Sequence, residues 1–178
     1  MSELRALLNV TAIALACGAA LAGTHWLTEE KIRFNETARL RDAIVDLLPA
    51  GAQAPSVTPA LEQVPAAWQL CNGFLLGRSN ARGYGGDIRL LYALRPAGDP
   101  MLTGVTVLGH AETPGLADFV TDPDWLGAFT QRSATDIDGL AAVTGATITS
   151  RAVADHLAAV LRNPNETLGQ PVSLECGK

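Results

Sequence analysis

The sequence has few charged residues and few cysteines. Charged residues account for 17% of its 178 residues and the net charge is −5, which provides no basic surface for nucleic acid. The three cysteines and three histidines are scattered, with no CxxC motif and no cluster at metal-ligand spacing. We therefore expect neither a zinc nor an iron–sulfur centre, and no nucleic-acid partner.

The common signatures of catalysis and of nucleotide binding are missing too. No segment has the Ser/His/Asp, Cys/His or paired-carboxylate pattern of a hydrolase. Neither a Walker-type GxxxxGK[ST] loop nor a GxGxxG fingerprint occurs. The residues alone thus predict no catalytic side chain.

What the sequence does contain is one long uncharged stretch. Residues 7–27 include no Asp, Glu, Lys or Arg, and about twenty apolar residues let a helix cross a bilayer. We predict a membrane-spanning helix; a cleavable signal peptide is the alternative, because Ala20-Leu21-Ala22 resembles a cleavage site. Arg5 alone precedes the stretch and four basic residues closely follow it, a count that by itself predicts a cytoplasmic C-terminal domain.

The remainder alternates between helical and extended patterns. Strands followed by packed helices indicate a small α+β domain behind a transmembrane helix. The predicted elements are an amphipathic helix at Thr28–Leu48 ended by Pro49, a linker at 51–65, strands at Trp68–Leu76, Asp87–Leu94 and Leu102–Leu108, a helix capped by Asp122, and a helix from Thr149 to Arg162. The predicted divisions are a short tail (1–6), the span (7–27), helix and linker (28–66) and the folded domain (67–178).

Two segments have a composition that is unusual for purely structural parts of a domain. The threonine motif, residues 144–150 (Thr-Gly-Ala-Thr-Ile-Thr-Ser), brings four hydroxyls to the start of the last predicted helix. One hydroxyl can simply cap that helix; alternatively, the unpaired N–H groups and the positive end of the helix dipole can hold a phosphate. The proline–glycine segment, residues 110–116 (His-Ala-Glu-Thr-Pro-Gly-Leu), follows a strand and has the composition of a structural turn.

Taken in order, these landmarks resemble a known family. They are the N-terminal span, Gly83-Tyr84-Gly85-Gly86, Glu112-Thr113-Pro114-Gly115-Leu116, Thr144-Gly145-Ala146-Thr147-Ile148-Thr149, Arg151-Ala152-Val153 and Cys176-Gly177. The sequence resembles the G subunit of the Rnf-type ion-translocating electron-transport complex. It is similar, more distantly, to the C subunit of the sodium-pumping NADH:quinone reductase.

The resemblance implies an electron-carrying flavoprotein subunit of a bacterial inner-membrane oxidoreductase complex, with its folded domain on the periplasmic side. In that family a flavin transferase joins FMN through a phosphoester to the motif's second threonine, which corresponds to Thr147. The flavin performs the redox chemistry, and other membrane and redox subunits are the implied partners. The expected cofactor-binding residues, of which the last two would contact the flavin ring, are Thr144, Gly145, Ala146, Thr147, Thr149, Glu112 and Thr113.

Two alternatives stay open, and a departure from the family pattern supports the first of them. The family motif carries Asp three residues before its first threonine, where this chain has Ala141. A subunit of the same kind that carries no flavin and serves structure or assembly is one alternative, and a stand-alone membrane-anchored flavoprotein is the other. The resemblance also implies a disulfide between Cys71 and Cys176, which have counterparts in the family and would lie in an oxidising compartment.

Overall fold

The computed structural model describes residues 2–48, 66–70 and 73–173. The chain forms two compact units, Met1–Arg39 and Leu40–Lys178. By length and composition, helix α1 (Ser2–Leu47) is the one helix among the described residues that could cross a membrane. The predicted linker at 51–65 and the two cysteines of the predicted disulfide, Cys71 and Cys176, lie outside the described residues, so both stay predictions.

Helix α1 runs without interruption through the predicted span and the predicted amphipathic helix. The predicted amphipathic helix is thus the second part of α1, in which Ile32 and Val45 are exposed. Leu40 and Ile44, near the end of α1, are buried instead. Their spacing of four residues places both on the same side of the helix, where they cover one face of the sheet in the second unit.

A six-stranded sheet, in the order β5-β4-β3-β2-β1-β6, forms the frame of the second unit. Its strands are β1 (Ala66–Gln69), β2 (Leu75–Arg82), β3 (Asp87–Arg95), β4 (Met101–His110), β5 (Arg132–Ser133) and β6 (Val172–Ser173). The first five pair antiparallel in chain order, whereas β6 runs parallel to β1. Strands β3 and β4 confirm two of the predicted strands.

Strand β3 separates two hydrophobic cores. Its Leu90 and Tyr92 belong to the core shared with helix α4 (Thr147–Arg162), whereas Leu91 and Ala93 belong to the core shared with the end of α1. Successive side chains of a strand point to opposite faces, so burial on both sides gives the continuous apolar run seen here. The sheet with its packed helices confirms the predicted α+β class.

The predicted strand Trp68–Leu76 is wrong, because the chain reverses within it to form β1 and β2. Leu70 N–H donates to the Phe74 carbonyl at 2.8 Å, and Gly73 adopts a φ of +83°, a conformation that glycine adopts without strain. The sequence signal for this turn is Asn72-Gly73, a dipeptide typical of tight hairpins.

Four helices lie between β4 and β6, apart from a 3₁₀ helix at Asp118–Thr121: α2 (Pro123–Gly127), α3 (Ala134–Asp138), α4 and α5 (Pro164–Leu168). Helix α2 confirms its predicted cap, since the Asp122 carboxylate accepts the Asp124 N–H at 2.8 Å. Helix α4 begins at Thr147, two residues earlier than predicted. Thr147 is therefore the first residue of the helix instead of preceding it.

A buried hydrogen-bond chain ties α4 to the sheet. The Ser79 hydroxyl lies 2.7 Å from the Tyr92 hydroxyl and 2.6 Å from His156 Nε2. Burial raises the pKa of Tyr92 and lowers the pKa of His156, which favours a protonated phenol beside a neutral imidazole. Ser79 therefore links the phenol to the imidazole, because its hydroxyl can donate to one of them and accept from the other.

We expect this chain to make folding stability depend on pH. Protonation would place a positive charge on the partly buried His156 ring, which burial disfavours, and Nε2 could then only donate to Ser79. Because the pKa of folded His156 lies below the unfolded value of about 6.5, this stability is complete above that pH. It falls as the pH drops from there toward the folded pKa, by at most about 1.4 kcal/mol per pH unit.

Urea unfolding of the full chain in detergent measures this loss of stability. We compare about pH 7.5 with about pH 5.5, since these two values lie on either side of the ordinary histidine pKa. His156→Gln keeps a hydrogen-bonding group for Ser79 but cannot titrate, and should flatten the difference. An equal loss of stability in the variant would contradict the assignment to His156.

Candidate functional site

The candidate site lies at the end of the sheet where β2, β3 and β4 meet the start of α4. The β2–β3 connection, the glycine turn (residues 83–86), closes with the Gly83 N–H donating to the Gly86 carbonyl at 2.9 Å. The proline–glycine segment leaves β4 beside it, and the threonine motif enters α4. Together they enclose a cavity of about 490 Å³, lined by Tyr84, Glu112, Thr113, Leu116, Ala117, Gly145, Ala146, Thr147, Ile148 and Thr149.

The Glu112 carboxylate joins all three segments. Its Oε1 accepts the Gly85 N–H at 3.0 Å, and its Oε2 accepts the Thr149 hydroxyl at 2.8 Å. The Tyr84 N–H completes the arrangement with a long bond of 3.5 Å to Thr149 Oγ1. Glu112 is only 7% exposed, so one buried side chain holds the walls of the cavity together.

The glycine turn must approach this carboxylate closely. A Cβ at Gly83 would collide with Glu112 Oε1, and a Cβ at Gly85 would lie 2.5 Å from the Ala111 carbonyl oxygen. Contacts this short are sterically forbidden, so a side chain at either position would push the turn away from Glu112. The glycines of the turn are therefore a requirement of the cavity wall.

The start of α4 is shaped by backbone geometry. Gly145 adopts a φ of +85°, and Ala146, the residue before the helix, contributes no side-chain cap. Ser150 fastens the loop from inside the helix: its Oγ accepts the Val143 N–H at 3.0 Å and donates to the Ala146 carbonyl at 3.0 Å. The N–H groups of the first turn have no acceptor within the helix, and they lie beside the cavity.

The four hydroxyls of the threonine motif have separate environments. Thr149 and Ser150 are buried, and both hydroxyls are used in hydrogen bonds within the protein. Thr144 and Thr147 are exposed, but only Thr147 of these two lines the cavity. Thr147 thus has the one hydroxyl of the motif that is both exposed and at the cavity.

Apolar side chains form the mouth of the cavity. Tyr84, Leu116 and Ile148 are 77%, 62% and 59% exposed, and each comes from a different one of the three segments. Such exposed apolar groups around a polar floor are typical of a ligand site. Sequence reasoning did not select them as site residues, although all three lie inside the motifs that carried the resemblance.

Most of the sequence-predicted site residues come together in this structure. Glu112, Thr113, Gly145, Ala146, Thr147 and Thr149 line the cavity, whereas Thr144 lies in the turn before it. Ala141 is exposed in the loop leading to that turn. Among the described residues, no group of three or more His, Cys, Asp or Glu side chains could hold a metal ion.

Comparisons with known proteins identify the family of the chain. Residues 83–162, which include every residue of the cavity, match the family described as FMN-binding domain. The chain is 30% identical over 191 residues to the G subunit of the ion-translocating oxidoreductase complex of Haemophilus influenzae, covering 92% of this chain and 91% of the relative. The G subunit of Methanosarcina acetivorans is 27% identical over 170 residues, which cover 86% of this chain and 89% of the relative. The G subunit of Cereibacter sphaeroides is 44% identical over 84 residues, which cover 40% of this chain and 37% of the relative. The chain therefore belongs to the family formed by the G subunits of ion-translocating oxidoreductase complexes.

Proposed function

We propose that this chain is the electron-carrying flavoprotein subunit of a membrane-bound, ion-translocating oxidoreductase complex, with FMN joined by a phosphoester to Thr147. The cavity carries the proposal, because the three recognisable segments meet there within the region that matches FMN-binding domains. The names of the relatives supply the class of complex.

The residues of the cavity suit an FMN molecule. A volume of about 490 Å³ falls within the range of about 300–1,000 Å³ common for ligand pockets. Tyr84, Leu116 and Ile148 offer apolar surface for a flat ring system. The unpaired N–H groups in the first turn of α4 and the helix dipole favour a phosphate beside Thr147. When bound, FMN supplies the electron-transfer chemistry, and the protein binds and orients it.

Thr147 is the hydroxyl that best suits attachment. Its side chain is exposed at the cavity, whereas the Thr149 hydroxyl is donated to Glu112 and Ser150 fastens the preceding loop. Gly145 and Ala146 leave little side chain in the way of a flavin transferase. Attachment forms a bond from Thr147 Oγ1 to the flavin phosphorus and breaks the bond from that phosphorus to the leaving group of the flavin donor, which departs with the hydroxyl proton. The chain therefore gains the mass of FMN less one water. Thr144, Gly145, Ala146, Thr149, Glu112 and Thr113 are proposed to complete the binding site.

The apolar part of α1 supports anchoring in a membrane. We place the span at residues 7–27 in the bacterial inner membrane, and the FMN-binding domain on the periplasmic side. There a covalent bond would keep the cofactor from diffusing away. The proposed partners are a flavin transferase, which installs FMN, and the other membrane and redox subunits of the complex, which exchange electrons with it.

The test is to produce the full chain with a flavin transferase confined either to the cytoplasm or to the periplasm. Only the periplasmic enzyme should yield chain with the mass of FMN less one water and flavin fluorescence that survives denaturation. The labelled chain should remain in the membrane fraction and copurify with integral membrane subunits.

Each alternative gives a different result. Copurification with membrane subunits but no flavin would favour a structural or assembly role, and flavin without partners would favour a stand-alone flavoprotein. Labelling by the cytoplasmic enzyme alone would reverse the proposed orientation.

A further inference from the structure

The bonding around Glu112 indicates an ionised carboxylate. Each of its two oxygens faces a donor, the Gly85 N–H at Oε1 and the Thr149 hydroxyl at Oε2. The Thr149 oxygen in turn faces the Tyr84 N–H, which leaves its own proton free for Glu112. A carboxylate that only accepts hydrogen bonds needs no proton of its own.

A titratable ring close to Glu112 in the described structure belongs to His110, whose Nδ1 accepts the Glu112 backbone N–H at 3.3 Å and does not bond the carboxylate. Among the described residues, none forms an ion pair with Glu112. Its compensation comes from two hydrogen bonds and from the start of α4, where Thr149 is the third helical residue and the helix dipole favours a negative charge. Because the residue is only 7% exposed, water screens the charge weakly toward the cavity that Glu112 lines.

We propose that Glu112 sets the reduction potential of the flavin held in this cavity, by keeping a fixed negative charge in its wall; the inference rests on the proposed function. Because both carboxylate oxygens are engaged with protein donors, Glu112 acts through its charge and through the position of the walls. Reduction adds electrons to the flavin ring, and a nearby negative charge opposes that addition. The charge therefore lowers the potential of the bound flavin.

The Glu112→Gln variant removes the negative charge and keeps nearly the same side-chain shape. Its amide oxygen can still accept the Gly85 N–H and its amide nitrogen can donate to Thr149, while the charge is gone. At a fixed applied potential, the ratio of reduced to oxidised flavin should rise about tenfold or more. Tenfold corresponds to an upward shift of about 59 mV for a one-electron step. Spectroelectrochemical titration of the full, flavin-loaded chain in detergent measures the ratio.

A matched control is Asp155→Asn, which removes an exposed carboxylate from α4 and should change the ratio less than about twofold because water screens it. Should Glu112→Gln not fold, Thr113→Lys replaces it. This variant puts a cation on the same cavity wall, where a bound flavin would displace the kind of water that screens Asp155, and should likewise raise the potential.

The outcomes separate this inference from the function on which it rests. A flavin-bearing wild type and a folded Glu112→Gln variant with equal potentials overturn the role of the charge and leave the proposed function intact. An unchanged potential in Thr113→Lys, where that variant is used, has the same meaning. A wild-type chain that binds no flavin overturns both.

Discussion

Replacing Thr147 with alanine is expected to abolish covalent flavin while leaving the domain folded. The side chain is exposed, so its loss removes no buried contact, and alanine is at least as favourable as threonine at a helical position. The other cavity-lining hydroxyl of the motif, that of Thr149, is buried and bonded to Glu112, and cannot take the place of Thr147. In-gel fluorescence after denaturation and the intact mass of chain made with its flavin transferase measure the loss.

Two variants act as controls for that experiment. Thr144→Ala removes the other exposed hydroxyl of the motif and should still carry covalent flavin on Thr147, because Thr144 is proposed to support binding and not to receive the phosphoester. Thr147→Ser retains a hydroxyl at the same place and should keep part of it. Fluorescence that persists in denatured Thr147→Ala protein would mean that the flavin is attached elsewhere.

The elements of the fold that are predictable from the sequence are those with a strong local pattern. Strand β3 has an apolar run too short for a helix and bounded by charged residues, and α2 has Asp and Pro at the positions that start a helix. The start of α4 is predicted two residues late, because the bond from Ser150 Oγ to the Ala146 carbonyl lies within the structure and has no signature in the composition. Short edge strands such as β6 have too few residues to show any alternation.

In the candidate site, too, the local patterns are predictable from the sequence and the long-range contacts are not. Its three segments can be named from sequence because each contains glycine, proline or hydroxyl residues in an unusual order. Their convergence follows from the resemblance alone, since Glu112 lies 27 residues from Gly85 and 37 from Thr149. The Ser79–His156 bond spans 77 residues, and a single histidine in a helical pattern gives no sign of its partner.

The sequence also could not predict that Glu112 is buried as a charged group in the cavity wall. A glutamate in a turn is usually solvated, and sequence gives no indication that this one is buried with both oxygens bonded. The indication is in the glycine turn, whose missing side chains make room for the carboxylate. Glycine turn and buried glutamate therefore form one structural unit, although they belong to different motifs.

Replacing Gly85 with alanine is expected to move the glycine turn away from Glu112. The added Cβ would lie 2.5 Å from the Ala111 carbonyl oxygen and 2.9 Å from Glu112 Cα, and because both are backbone atoms, neither can rotate away. Overpacking of this kind costs roughly 1–3 kcal/mol. Displacement of the turn would also remove the Gly85 N–H from Glu112 Oε1, and a charged group that loses a hydrogen bond adds about 1.5–3 kcal/mol.

Gly127→Ala provides the matched control, since a Cβ built there meets no atom within 4 Å apart from its chain neighbours and the backbone of its own helix. It should leave stability unchanged or raise it by up to about 1 kcal/mol, because alanine restricts the unfolded chain. Urea unfolding of the full chain in detergent compares the two variants, and covalent flavin measured on the same samples reports the cavity. Gly85→Ala should unfold at a lower urea concentration and take up less flavin, because its cavity wall has moved from Glu112. Wild-type stability and labelling in Gly85→Ala would show that the turn can move without cost, and that Glu112 does not hold the walls together.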